Sequence, residues 1–136
     1  MPDTKRMKSR FEIANGPILE PSTIGAGGLN GESGAVVRFL GVVRGLEDGK
    51  PIAAIDYEAF PEMVLHQFNL IFAEAESRWP LQSIHVIHRI GVVLINEPSL
   101  WVEVIAPHRG EAFAGCQFVI DEMKRRVPIW KKAIFS

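Results

Sequence analysis

Apolar and polar positions alternate along this chain with two periods, and the switches between them mark its elements. From Gly34 to Val43 the period is two. Ala35, Val37, Phe39 and Val43 fall on one face; Val36, Leu40 and Val42 share the other with Arg44, just past the end. Both faces are mostly apolar, which predicts a central strand. Leu46-Glu47-Asp48-Gly49-Lys50-Pro51 is a turn signal, with Asp48-Gly49 supplying positive φ. Ile52 to Phe60 returns as a strand with Ile55, Tyr57 and Ala59 in phase, and the two strands are expected to form a hairpin. Pro61 suits a first helical turn. Leu65, Phe68, Phe72, Ala75 and Trp79 then keep helical spacing through about Arg78, and Pro80 stops the helix. Ile84, Val86, His88 and Ile90 alternate as a third strand. Gly91 to Glu97 turns or continues, and Leu100, Val102, Val104 and Ala106 mark a fourth strand ended by Pro107. Gly110 to Arg126 is a second long helix, with Phe113, Cys116, Ile120 and Met123 as its apolar stripe. The order is a ββα unit occurring twice, which predicts an α+β domain with a mainly antiparallel sheet.

Outside these elements the pattern dissolves. Residues 1–10 are polar and are expected to form a disordered N-terminal segment, leaving 11–136 as a single domain. Within that domain Phe11-Glu12-Ile13 is a possible short strand. Asn15 to Gly34 is rich in Gly, Pro and Ser; no Gly-Lys-Ser/Thr follows to make it a phosphate loop, so it reads as a connection. The 136 residues, 47% hydrophobic and 23% charged, suit one folded core. No apolar run approaches the ~20 residues of a membrane span. The basic start lacks the apolar stretch of a signal peptide. Cys116 is the only cysteine, so an internal disulfide is excluded and a reducing, cytoplasmic setting is expected. The net charge of -1 argues against bulk nucleic-acid binding, so any anion recognition must be local.

One stretch is locally cationic. Lys124-Arg125-Arg126-Val127-Pro128-Ile129-Trp130-Lys131-Lys132 holds five cations and no carboxylate. Pro128 ends the helix at about Arg126 or Val127 and forces a bend, which Trp130 is expected to anchor by burial. Lys124 lies at the border of the expected apolar stripe. A half-buried lysine among other cations has a lowered pKa and can move protons or attack a carbonyl. The plainer reading is a lysine snorkelling from a helix end. One of Arg125 and Arg126 is expected to be a structural ion-pair partner. His108-Arg109 stands where the fourth strand meets the second helix, a place where binding groups gather. His88 is in phase with core residues and reads as a buried, satisfied histidine. Cys116 falls in the apolar stripe, where a thiol has a raised pKa and is inert. The histidines and the lone cysteine make no metal signature.

Several stretches together resemble a known family. These are Gly34-Ala35-Val36-Val37 through Gly41-Val42-Val43-Arg44, Tyr57-Glu58-Ala59-Phe60-Pro61-Glu62-Met63, Arg78-Trp79-Pro80, His88-Arg89-Ile90-Gly91, His108-Arg109 with Ala112-Phe113, Lys124, and Pro128-Ile129-Trp130-Lys131-Lys132. In this order they resemble the large, catalytic subunit of molybdopterin synthase, over roughly residues 34–132. The resemblance implies an α/β-hammerhead fold and a homodimer. It also implies a heterotetramer with a small ubiquitin-like sulfur-carrier subunit ending in Gly-Gly. Sulfur would pass from the carrier's C-terminal thiocarboxylate to cyclic pyranopterin monophosphate (precursor Z), two transfers building the dithiolene of molybdopterin. The protein itself would need no cofactor. Carried over residue by residue, the resemblance makes Lys124 and Lys131 catalytic. It makes Val42, Val43, Arg44, His108, Arg109, Lys124, Lys131, Lys132 and Ala133 substrate-binding, with some contributed across the dimer. Ala133 stands where the family usually has a glutamate, and Val42 where the residue is often polar or basic. Two other readings compete: a non-catalytic module that docks a carrier's tail, and a small RNA-binding domain. The second needs aromatics exposed on a sheet, whereas Phe39 and Tyr57 are expected in the core.

Overall fold

The computed structural model describes residues 6–22, 24–25 and 28–136. The elements run β1 (Lys8–Ala14), β2 (Ala35–Val42), β3 (Leu46–Glu47), β4 (Lys50–Ala59), α1 (Pro61–Arg78), β5 (Ser83–Arg89), β6 (Gly91–Leu94), β7 (Pro98–Ala106), α2 (Arg109–Arg126) and β8 (Ile129–Phe135). The architecture is α+β, with two sheets rather than one. The first has the order β1-β5-β7-β2, with β1 parallel to β5 and the other pairs antiparallel. The second is built around β4, which pairs with β3, β6 and β8.

Several expectations change here. Residues 8–10, expected in a disordered segment, open β1; residues 1–5 lie outside the described set. The expected hairpin of the first two strands does not form. The Asp48-Gly49 turn (φ 50° and 77°) instead joins β4 to the two-residue β3, and β2 pairs with β7 in the other sheet. Nor is β2 central. It is an edge strand whose Val36, Leu40 and Val42 are exposed, while Ala35 and Val37 pack on the core. Apolar side chains on both faces do not require covering by this chain alone. The final strand β8 has no counterpart in the sequence reading, because Pro128 and the lysines mask its alternation.

The first sheet carries α1 and α2 on one face, and the main core lies between them. Val64, Phe68, Ile71 and Phe72 of α1 meet Ile84, Val86, Val102 and Val104 of the strands, each such side chain contributing about 1.5–3 kcal/mol on burial. Leu65, read into the buried stripe of α1, is exposed. In α2 the buried face is Ala112, Gly115, Cys116, Val119 and Met123: Cys116 and Met123 lie where expected, while Ala112 and Val119 are buried in place of Phe113 and Ile120. Phe113 is 61% exposed. Small residues face inward because α2 packs closely here: a Cβ on Gly115 would sit 2.8 Å from Leu81 Cδ1, in the connection before β5, and 3.5 Å from Val104 Cγ1 of β7.

The sheet's other face is closed by the glycine-rich connection, whose described residues form neither helix nor strand. Glu103, 1% exposed, binds Arg38 at 2.7 Å and accepts the Gly25 N–H at 3.0 Å, and Trp101 Nε1 donates to Glu20. These bonds tie the connection to β7. At Gly91 (φ 84°) the chain leaves β5 of the first sheet and enters β6 of the second. Arg89 steadies that corner, donating to Glu97 and to the Val92 carbonyl. A second, smaller cluster of Val43, Ile52, Ile55 and Val93 fills the junction.

Candidate functional site

Where the two sheets meet, the ends of β2, α2 and β8 enclose a cleft of about 440 Å³. Three cations reach it from three segments. Arg44 lies two residues past β2, whose pairing with β7 shifts register between Gly41 and Val42. Lys124 sits in the last turn of α2, next to buried Met123. Lys131 lies on β8 opposite Tyr57 of β4, so β-pairing fixes its position. The bend between the second and third is as the sequence predicts. Arg126 ends the helix, and the chain turns at Val127-Pro128 into β8.

Electrostatically the cleft is unbalanced. Glu47 is the carboxylate on its wall, 3.4 Å from Lys131 Nζ. Arg44 and Lys124 have no ion-pair or hydrogen-bond partner among the described residues. Two net positive charges therefore face the opening. The apolar walls, among them Phe39, Val42, Val43, Leu100, Met123 and Ile129, lower the local dielectric and strengthen that field. Phe39, expected in the core, is half exposed and forms part of this wall.

The remaining candidates divide between the cleft and other places. Val42 and Val43 line the cleft, Val43 strapped by backbone bonds to Asn96 and Glu97. Lys132, one residue along β8 from Lys131, belongs to the opposite strand face. Ala133 packs on the Val43–Ile55 cluster below the cleft. His108 and Arg109 are exposed at the N-terminal end of α2, with His108 Nδ1 at 2.7 Å from Glu111 Oε1. Fifteen helical positions separate Arg109 from Lys124, about 22 Å at 1.5 Å per residue, so one chain does not bring them together. Lys124 is exposed rather than half-buried. Trp130 is 51% exposed instead of buried, with its ring edge-on to Phe60 at 5.2 Å. The alternation of β8 sends it outward as it sends Lys131 inward.

Of the two neighbouring arginines, Arg126 is the structural one. It reaches Glu74 of α1 at 2.6 Å and Glu122 at 3.2 Å, while Arg125 pairs along its own helix. These carboxylate partners hold both guanidinium pKa values above the usual range. Cys116 is buried, and burial pushes its thiol up to about 11. Three wall residues had no signal as site residues in the sequence: Glu47 read as a turn, Tyr57 and His88 as core. Pairing of Tyr57 with Lys131 was invisible without β8. No group of three or more His, Cys, Asp or Glu among the described residues is placed to hold a metal. None of the described helices is long and apolar enough to cross a membrane.

The fold and the cleft define a class: an α+β protein with an excess of positive charge in a cleft where its two sheets meet and with its one thiol buried. Comparison with known proteins gives the particular family. The model of the MoaE protein family matches residues 19–126. The molybdopterin synthase catalytic subunit of Nostoc sp. is 45% identical over 101 residues, 74% of this chain and 61% of that protein's length. That of Bacillus subtilis is 37% identical over 127 residues, covering 93% of this chain and 80% of the relative. Among solved structures, molybdopterin synthase from Staphylococcus aureus superposes with a TM-score of 0.83 at 33% identity, covering 93% of this chain and 91% of that one. The chain belongs to the MoaE family of molybdopterin synthase catalytic subunits, sulfurtransferases of molybdenum cofactor biosynthesis.

Proposed function

We propose that the cleft is where sulfur passes from the C-terminal thiocarboxylate of a small ubiquitin-like carrier subunit to cyclic pyranopterin monophosphate. The observation that carries this reading is the convergence of Arg44, Lys124 and Lys131 on one cleft, two of them without an anionic partner. Both reactants are anions. Bringing two unit charges to about 6 Å costs about 3 kcal/mol at an effective dielectric near 20. A cleft with a cationic excess offsets that cost and concentrates both reactants.

The roles follow from position. Arg44 grips the phosphate, for which its planar fork is suited. Lys124 and Lys131, on the two sides of the bend, stabilise charge developing at the acyl centre and on its oxygen as sulfur leaves it. One of them also moves a proton. Glu47 holds the Lys131 ammonium towards the cleft until the reactants arrive; so exposed a pair is worth about 0–1 kcal/mol and is readily given up. The transferred sulfur belongs to the carrier, so the buried Cys116 is not needed.

His108 and Arg109 join the site from a second copy. β2 is an edge strand, and β2 and α2 are each about 27 Å long. Antiparallel pairing of β2 with its two-fold mate would set the start of one strand beside the end of the other. The start of β2 lies opposite Ala106, just before His108. The mate's His108 and Arg109 would then approach Arg44. The test is reconstitution of the chain with thiocarboxylated carrier and precursor Z, assayed for dithiolene product. Product forms if the reading holds; a chain that binds the carrier's tail but yields no product is a docking module.

A further inference from the structure

His88 lies at the end of β5 and lines the floor of the cleft between Tyr57 and Leu100, although the residue is only 5% exposed. Its Nδ1 is 2.7 Å from the Arg89 carbonyl oxygen. A carbonyl only accepts, so Nδ1 carries the hydrogen, and in the neutral ring Nε2 is left with a bare lone pair. Burial pushes the His88 pKa down, the carbonyl bond opposing it, which favours the neutral ring. The edge-to-face contact with Tyr57, 5.1 Å between centroids, fixes the ring plane. Nε2 has no partner among the described residues, and it is not one of the side-chain atoms sealed from solvent without a partner, which are Arg89 Nε and Glu111 Oε2. An acceptor that opens onto the cleft can bond water in the free chain, but a reactant that covers it without bringing a donor leaves it unpaired, which is costly. The other polar side chains lining the cleft are Arg44, Glu47, Tyr57, Ser99, Lys124 and Lys131; none of them hydrogen-bonds Nε2 in the free chain, the Ser99 hydroxyl being turned to the Gly41 carbonyl.

We propose that His88 is a further binding residue of the site, its Nε2 accepting a hydrogen bond from an N–H group of the bound reactant. This rests on the sulfur-transfer reading above and deepens it. Two donors have the required chemistry: a ring N–H of the pterin, and a backbone amide of the carrier's extended C-terminal tail. The acceptor discriminates by geometry, since a reactant seated shallowly in the cleft leaves Nε2 unpaired.

The experiment measures binding of each reactant separately, precursor Z alone and a synthetic tail peptide ending in Gly-Gly alone. It uses the wild-type chain, His88→Gln, which keeps an acceptor near the Nε2 position, and His88→Phe, which keeps the ring shape without it. His88→Phe is expected to weaken one of the two ligands about tenfold, the worth of one hydrogen bond, and His88→Gln to restore it to within about threefold of wild type. The ligand affected identifies the donor. Nitrogen NMR of His88 in the wild-type chain covers the case in which His88→Phe does not fold: Nε2 is expected to be unprotonated when free and to shift upfield with that same ligand. Equal binding by all three proteins, equal loss in both variants, or an Nε2 resonance that neither ligand moves overturns the inference while leaving sulfur transfer intact. Failure of the wild-type chain to bind either ligand overturns both.

Discussion

Cys116 and the two cleft lysines show how burial sorts reactive side chains. The thiol faces the core under α2, and its ionisation is raised from an ordinary 9.0 to about 11. Iodoacetamide should therefore leave the native protein unmodified at pH 8, and Cys116→Ala should keep most of the transfer activity. The same shift sets a sign on stability. Between pH 9 and about 11 the unfolded chain has lost the proton that the folded chain keeps, so stability is complete below 9 and falls as pH rises through that window. A urea titration at several pH values reads it. The lysines behave oppositely. Lys124 is exposed and unpartnered, so Lys124→Ala should leave the melting temperature unchanged while lowering single-turnover sulfur transfer about 100-fold or more. Lys131→Ala should do the same. The residue types at this site were legible in the sequence because five cations around a proline are hard to hide. Their surroundings were not: Lys124 was placed at a buried border by reading Phe113 and Ile120 as the inner face, whereas Ala112, Gly115 and Val119 face the sheet. Bulk misled the reading, because a close helix–sheet contact selects small residues.

At the scale of elements, two junctions hold the site's frame. Gly34 precedes β2 and lies against the β7–α2 corner; a Cβ there would come 2.0 Å from the Pro107 carbonyl oxygen. Backbone cannot give way as a side chain does, so Gly34→Ala should cost about 3 kcal/mol, seen as an earlier midpoint in urea. The second junction is Arg126 with Glu74, which pins the C-terminal end of α2 to α1 just before the bend. Arg126→Ala should lower the melting temperature by several degrees, and Arg125→Ala, whose partner lies on its own helix, by about 1 °C or less. Both helices, and strands at the expected places between them, were readable from periodicity and from Pro61, Pro80 and Pro107. Which strands pair was not. Period two fixes faces but not neighbours, so β2 and β4 read as a hairpin although each belongs to a different sheet. β8 escaped because its alternation of Ile129, Lys131 and Ala133 against Trp130 and Lys132 mixes charge into both faces.

At the scale of the molecule, the cleft within one chain holds Val42, Val43, Arg44, Lys124 and Lys131 of the residues that the family resemblance assigns to it, and β2 offers an apolar edge through which a second copy would supply His108 and Arg109. Leu40→Lys, on the exposed face of that edge, should yield monomers by sedimentation and abolish transfer although the cleft itself is untouched. The most direct test mixes two inactive proteins, Lys124→Ala and Arg109→Ala, after unfolding and joint refolding. If the site is shared, half the dimers are mixed and each of those has one intact site, so transfer should return to about a quarter of the wild-type rate. Activity that stays at the level of the separate variants would place both residues in one chain's site, or neither in any, and would contradict the account.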